Sequence, residues 1–405
     1  MAETPQTSQP LRVLLLAPTT VVGGITTWAR FLLKFSDPGR VAYHVIDTSK
    51  LFDPLGKKLG VRGAFLGLWD AAKRLVTLVR AVRAFRPDLV YFTCAPSIGL
   101  TVRDAPYMLL LRMLGIPAVA HLHGGNVPGF FGGGWVRRTL NRWGLATCRA
   151  ILVITRECEA AGREIFADDQ VIYVPNMLDD DLLARQQPRA IRPADALGPW
   201  RLLHVAWQSV EKGSYDLVRA MPHVRHAVDC RLVGTAAPEH RDALERLMAD
   251  LGVADRIRLM GQKRGDDLDA EFRDADVFVL PTHRGGPEGF PMVVLEAMTY
   301  GLPIVANEVG NIAEMIAART GRPAGVLLEH VDPVDPAELA AKIDALLDDA
   351  PRRAAYSEDG RARIRAEYLA SKVVPQLEDL LAALVRGNPK GPERHRWGRV
   401  DGGES

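Results

Sequence analysis

At 405 residues the chain is long enough for two domains, and 47% apolar with 25% charged residues is the make-up of an ordinary globular protein, neither disordered nor fibrous. A formal net charge of +2 gives no electrostatic case for nucleic acid as a partner. The four cysteines, Cys94, Cys148, Cys158 and Cys230, stand at no paired spacing, so reduced thiols in a cytoplasmic protein are expected, not a zinc site or a disulfide framework. Met1 to Pro10 is polar, the apolar run after it is too short for a secretory signal, and no apolar stretch reaches the length of a membrane span.

Residues 1–10 read as a disordered lead-in. Arg12 to Ala17 is an apolar run suited to a buried strand. It feeds a turn holding Gly23 and Gly24, then a helix from about Thr26 to Phe35. Such an element lets backbone approach an anion closely, although the spacing is not that of a dinucleotide fingerprint. Val41 to Asp47 is a second strand. From Phe65 to Phe85, Leu68, Trp69, Ala72, Leu75, Val76, Val79 and Val82 recur at helical spacing, with Lys73, Arg74, Arg80, Arg83 and Arg86 around the other faces. Two readings stand: a helix on an anionic membrane surface, or a packed helix with a solvated basic side.

Asp88 to Cys94 and Pro117 to His121 are further strands. The second runs into His121-Leu122-His123-Gly124-Gly125, at the strand end where open α/β sheets bind ligands. His123 is the site candidate, and His121 is expected on the opposite face of the strand as a structural residue. Asn126 to Trp143 mixes glycines with Phe130, Phe131, Trp135, Arg137, Arg138 and Trp143. It either covers an acceptor or touches lipid headgroups, or it packs on its own domain. Ala150 to Thr155 and Gln170 to Pro175 close a first domain ending at 185, and 186–199 reads as a linker.

The second domain, 200–355, opens with the strand Arg201 to Trp207, followed by a turn with Lys212-Gly213. Strands Cys230 to Thr235 and Arg256 to Gln262 each carry a glycine near the end, Gly234 and Gly261. Ala275 to Leu280, Pro303 to Asn307 and Gly325 to Glu329 complete the set, and Asp335 caps a helix. A last helix near Ala354 to Val385 is expected to return to the first domain from 356 onward, and 386–405 reads as a disordered tail.

The most specific stretch is Pro281 to Met298. A buried strand meets a glycine-rich loop, and Pro291 starts a helix whose first N–H groups, those of Met292 and Val293, face outward as a phosphate seat. Glu288 and Glu296 frame this seat, with seven residues between them. An ionised carboxylate only accepts hydrogen bonds, which suits hydroxyls of a sugar or ribose and not phosphate. Glu288-Gly289-Phe290-Pro291, Glu296-Ala297-Met298 and Gly301-Leu302-Pro303 together resemble the signature of the family-4 retaining glycosyltransferases of the GT-B fold.

That resemblance covers roughly residues 11–380 and implies an α/β architecture of two facing Rossmann-like domains with a cleft between them and a C-terminal helix crossing back. It implies a nucleoside-diphosphate-sugar donor; the basic helix and the aromatic loop suggest a glycan or lipid-linked acceptor at an inner-membrane surface, and a donor set of Lys212 and backbone amides can dispense with a metal or other cofactor. His123, Lys212 and Glu288 take the catalytic positions. Gly23, Gly24, Gly234, Gln262, Lys263, Gly289, Phe290, Met292, Val293 and Glu296 bind the donor. In one place the chain departs from the family: Trp207 stands where an arginine touching the diphosphate is usual, and an indole cannot supply that charge. Either Gln208, Arg284 or a residue of the first domain compensates, or donor affinity is weaker. A nucleotide-sugar epimerase, a glycan phosphorylase or a non-catalytic sugar-nucleotide-binding subunit on the same fold are the rival readings.

Overall fold

The computed structural model describes residues 9–21, 23–49, 75–95, 100–125, 130–131, 134–187, 190–284, 289–317 and 322–387. They form two compact units, one of residues up to Met177 with those from Ala370 onward, the other of Leu178–Leu369.

The first unit is built on a six-stranded parallel sheet of order β2-β1-β3-β4-β5-β6. Its strands are β1 Leu11–Ala17, β2 Val41–Asp47, β3 Leu89–Cys94, β4 Ala118–Leu122, β5 Ala150–Val153 and β6 Val171–Tyr173. Both faces are covered, which is why the central strands β1, β3, β4 and β5 read as near-continuous apolar runs, while the edge strand β2 carries His44 and Asp47 and is only partly buried. Successive residues of β1 go to opposite layers: Val13, Leu15 and Ala17 join one core with Trp28, Phe31 and Leu32 of the Gly24–Phe35 helix. Leu14 and Leu16 join another with Leu78, Val82, Met108 and Leu111. Residues 75–85 are helical, with Leu78 and Val82 buried and Arg80 and Arg83 exposed, so this part of the basic segment is a packed helix with a solvated side. The part before residue 75 lies outside the described residues.

The second unit holds another six-stranded parallel sheet, of order β12-β11-β10-β7-β8-β9. Here the strands are β7 Trp200–Val205, β8 Val228–Val233, β9 Ile257–Gly261, β10 Val277–Leu280, β11 Ile304–Asn307 and β12 Gly325–Leu328. The reversal between β7 and β10 makes a topological switch point, where ligands of open α/β sheets bind beyond the strand ends.

The domain boundaries differ from those read in the sequence. The stretch 178–199 belongs with the second unit: the Arg192 guanidinium donates to Asp276 and the Pro199 carbonyl, and Arg361 donates to the Gln186 carbonyl. The single last helix expected over 354–385 is two. Ala350–Arg363 widens into a π turn at Ile364–Tyr368, Leu369 is extended, and a new helix runs over Ala370–Val385. The break is fixed by Leu178, whose N–H donates to the Tyr368 carbonyl, and by Tyr368 packing on Phe290. Only from Ala370 does the chain return to the first unit, burying Val373, Val374, Leu377, Leu380, Leu381 and Leu384 in the core that contains Trp28. All four cysteines are buried and free, and burial raises the Cys158 thiol to about 11.

Candidate functional site

In the first unit the candidate residues gather at the C-terminal ends of β1, β3 and β4. The loop leaving β1 is pinned by Asp47 at the end of β2, which accepts hydrogen bonds from the Thr19 N–H at 3.0 Å, the Ser49 N–H at 2.8 Å and the Thr20 hydroxyl at 3.3 Å. Partial burial opposes its ionisation, but the bonds from Ser49 and Thr19 outweigh that and hold its carboxyl down at about 2. The loop delivers Gly23 as N-cap and Gly24 as first residue of the following helix. An added Cβ at either glycine meets nothing within 4 Å. Packing inside the chain therefore gives no reason for a glycine here; approach of a ligand to the backbone does.

His121 and His123 lie on the same side of β4, correcting the expectation that they point apart. Residues two apart along a strand share a face, and the two rings stand 4.0 Å apart between centroids. His121 is fully buried, with Nδ1 2.8 Å from the Tyr91 hydroxyl. Trp28 covers both imidazoles edge-on, at 4.8 and 5.0 Å, and stacks on Tyr91. Burial drives the His123 ring down to about 3, and burial with the neighbouring His123 drives His121 well below its ordinary range, so both are neutral. Among the described residues the Nε2 atoms of His121 and His123 and the Nε1 of Trp28 are buried with no hydrogen-bond partner. Three such atoms on neighbouring rings form a polar lining whose bonds the described residues leave unmade.

In the second unit the Lys212 segment is stapled to the loop after β10. The Glu211 carbonyl accepts from the Thr282 hydroxyl at 3.0 Å and the His283 N–H at 2.9 Å. Gly213, at φ +74°, caps the Ser214–Ala220 helix so close to β10 that a Cβ would lie 2.0 Å from the Pro281 carbonyl oxygen. Only glycine allows this approach, and it brings the half-buried Lys212 beside the loop that leads into the Met292–Thr299 helix. That helix has Pro291 as N-cap, one position earlier than the sequence suggested, and the Pro291 carbonyl accepts from the Val294 N–H. Its N1 and N2 amides, on Met292 and Val293, have no partner within the helix. Gly289 is anchored by its carbonyl to the Asn311 N–H, and Phe290 is buried against Tyr368. Glu288 lies outside the described residues.

Glu296 is one turn into this helix. Burial, and then the Asp269 carboxylate on the Asp266–Asp274 helix, push its carboxyl up to about 7. The neighbouring strand ends are set by glycines as well. Gly234 at φ +136° sits where a Cβ would meet the Ala206 carbonyl oxygen at 1.8 Å, and its N–H donates to the Gly261 carbonyl. Gln262 is exposed. The Lys263 ammonium is held by the buried Glu271, which also pairs with Arg231 at 2.8 Å, so at this position it is backbone that remains for a ligand.

Trp207 is 77% exposed. Gln208 does not replace the missing charge: its NH2 group is spent on the Ala206 and Val233 carbonyls, and the oxygen left over is an acceptor. Arg284 is exposed at the mouth of the loop. Two residues that sequence reasoning missed stand nearby. Asp216 on the Ser214–Ala220 helix is buried and 2.6 Å from His283 Nε2, and the other ring nitrogen faces Asp332 at 3.6 Å. This pair ties the Lys212 turn to the loop after β10. Asp216 and His283 are 67 positions apart, and no local spacing marks them as partners. Among the described residues no three His, Cys, Asp or Glu side chains group as metal ligands.

Two family models match the chain: "Glycosyl transferase 4-like domain" over residues 54–177 and "Glycosyl transferases group 1" over residues 191–363. Over 180 residues it is 33% identical to a GDP-mannose-dependent monoacylated alpha-(1-6)-phosphatidylinositol monomannoside mannosyltransferase of Corynebacterium glutamicum, a match covering 43% of this chain and 45% of that protein. A 25% identical match to the glycogen synthase of Mycobacterium tuberculosis covers 75% and 71% of the two chains. The match thus spans under half the length of the first of these relatives. Among solved structures, Anabaena Alr3699/HepE in complex with UDP superposes with a TM-score of 0.69 at 18% identity, covering 92% of this chain and 100% of that one. The sucrose-phosphate synthase of Thermosynechococcus elongatus gives 0.70 at 19% identity, covering 93% and 100%. These likenesses show the fold: two Rossmann-like domains of the GT-B type.

Proposed function

This chain belongs to the family-4 glycosyltransferases of GT-B architecture, and from that membership we propose that it moves a sugar from a nucleoside-diphosphate-sugar to a glycan or lipid-linked acceptor, with retention and without a metal ion. The observation that carries the reading is the anion seat of the second unit. A lysine turn is locked through Glu211 and Gly213 to the loop that opens the Met292–Thr299 helix, and Glu296 lies one turn inside.

Sugar transfer makes a nucleoside diphosphate leaving group, and its growing charge is the quantity to stabilise. Lys212 supplies a full positive charge, and the amides of Met292 and Val293 supply fixed partial ones at a helix N-terminus. Glu296 in its ionised form accepts ribose hydroxyls. With this donor set the leaving group can be neutralised by the chain itself. His123, held neutral by burial, cannot deliver a charge near pH 7; it works as a hydrogen-bond partner that orients a sugar hydroxyl. No carboxylate beside it stands as a nucleophile among the described residues, which favours attack by the acceptor on the face the leaving group departs from. The acceptor reading draws on the relatives' names, among them D-inositol 3-phosphate glycosyltransferases and phosphatidylinositol mannoside mannosyltransferases.

A transfer assay with nucleotide-sugar donors, a lipid acceptor and EDTA tests the proposal. His123→Ala lowers transfer about 100-fold or more, in line with loss of an interaction made at the reacting centre, and Glu296→Ala lowers it about 10-fold or more through weaker holding of the donor ribose. Full transfer by either variant contradicts it. The departure at Trp207 favours one rival, a sugar-nucleotide-binding subunit without catalysis, which predicts nucleotide binding with no transfer by the wild type.

A further inference from the structure

We propose that His283 is a positioning residue for sugar transfer: bonded to Asp216, it holds the Lys212 turn at a fixed angle to the loop that opens the Met292–Thr299 helix. The lysine and the first amides of that helix then meet one diphosphate together. This rests on the sugar-transfer reading and adds to it a pair of residues that act through Lys212. The turn and the loop leave different strands, β7 and β10, which the sheet order makes neighbours. At one point they are joined through a single atom, since the Glu211 carbonyl accepts from both the Thr282 hydroxyl at 3.0 Å and the His283 N–H at 2.9 Å. Bonds that share an acceptor fix a point and leave rotation about it. At Gly213, where the turn passes the Pro281 carbonyl, there is no side chain to interlock. The bond from His283 Nε2 to Asp216 Oδ2, 2.6 Å long and five positions beyond Glu211, supplies a second point of attachment, and two points set an angle.

An ionised carboxylate only accepts, so the imidazole donates from Nε2 and the bond has a direction. Asp216 is buried and also accepts from Arg219 at 3.1 Å, while Asp332, on the segment after β12, faces the Nδ1 side of the ring at 3.6 Å. The residue before His283 is held from a third side: the Asn307 side-chain amide, at the end of β11, donates to the Thr282 carbonyl at 2.8 Å. Segments leaving β7, β10, β11 and β12 thus converge on Thr282 and His283, at the strand ends where an open α/β sheet takes its ligand. Stability alone gives little reason for a charged pair in this place, because apolar groups of like volume often serve a folded chain as well. Orientation gives one. Lysine is a point charge on a flexible stem, so the place of its ammonium depends on where its backbone is set, and a shift of about 1 Å at a reacting centre costs about 100-fold in rate.

Calorimetric titration of the full chain with UDP, GDP and ADP tests this, as a double-mutant cycle with Lys212. His283→Ala weakens binding of whichever nucleotide the wild type takes by about 10-fold. Because His283 acts through the lysine, Lys212→Ala combined with His283→Ala binds no more weakly than Lys212→Ala alone. His283→Gln, which returns an N–H near the place of Nε2, restores most of the affinity. Asp216→Asn exchanges a charge-assisted bond for a neutral one and gives an intermediate loss; should His283→Ala fail to fold, this variant carries the same cycle. His226→Ala removes a bond of the same kind, Nε2 to Asp348 at 2.8 Å ahead of β8, and leaves binding unchanged. Losses that multiply in the double variant, or wild-type affinity in both His283→Ala and Asp216→Asn, overturn the positioning role and leave the sugar-transfer reading standing. A wild type that binds none of the three nucleotides overturns both.

Discussion

Glu296 shows how one side chain can carry both a structural cost and a binding role. An unfolded glutamate ionises near 4.5, and in the folded chain burial and Asp269 raise it to about 7. Between those values the native state holds the extra proton, so stability falls as pH rises through that window and levels off above it. Glu296→Gln stays neutral throughout. It should match the wild type below about pH 4 and exceed it by about 3 kcal/mol at pH 8 in urea unfolding. Nucleotide affinity should move the other way, tightening with pH in the wild type as the accepting carboxylate forms and staying flat in the variant. A variant that binds nucleotide as well as the wild type at pH 8 contradicts the binding role. His123 is the counterpart in the first unit: at about 3 its titration lies below the working range, so no inflection near neutrality is expected from it.

At the scale of elements, glycines separate folding from binding. Gly213 sits at φ +74° with the Pro281 carbonyl where a Cβ would go. Gly213→Ala should cost about 2–3 kcal/mol or displace the Lys212 turn, lowering both melting temperature and nucleotide affinity. Gly24 has open space at the start of a helix. Gly24→Ala should leave the melting temperature unchanged or raise it slightly, because alanine is the better helix former, while transfer is lost. Equal loss of stability in both variants contradicts the assignment of Gly24 to a ligand. Strand–glycine–helix elements were legible in the sequence because apolar runs and glycines are local signals, and all twelve strands fall near their expected positions. Partnerships across the chain were not. Glu271 takes Lys263, Asp216 takes His283, and Tyr368 breaks the last helix by receiving Leu178, each from a segment that the fold alone brings near. The shared face of His121 and His123 was readable from strand period alone.

For the whole molecule, the return of the chain at Ala370 makes the first unit depend on the C-terminal end. Six apolar side chains of the Ala370–Val385 helix complete the core that holds Trp28. At about 1.5–3 kcal/mol each, their burial is on the order of 10 kcal/mol, comparable to the stability of a domain. A chain ending at Leu369 should lose the cooperative unfolding transition of the first unit in calorimetry; a first unit that stays folded contradicts this role for the helix. The same architecture places the Lys212 turn and the start of the Met292–Thr299 helix together in the second unit, where nucleotide binding can be probed without an acceptor. The most direct measurement is the melting temperature of the full chain with a panel of nucleoside diphosphates in EDTA, for the wild type and Lys212→Ala. A ligand that binds only the folded state stabilises it by about 2.7 kcal/mol at a hundredfold excess over Kd. One diphosphate should raise the melting temperature of the wild type, and Lys212→Ala should need about 10- to 100-fold more of it for the same shift, as expected for the loss of a charge-assisted bond. No shift with any diphosphate, or the same shift in both proteins, would contradict the account.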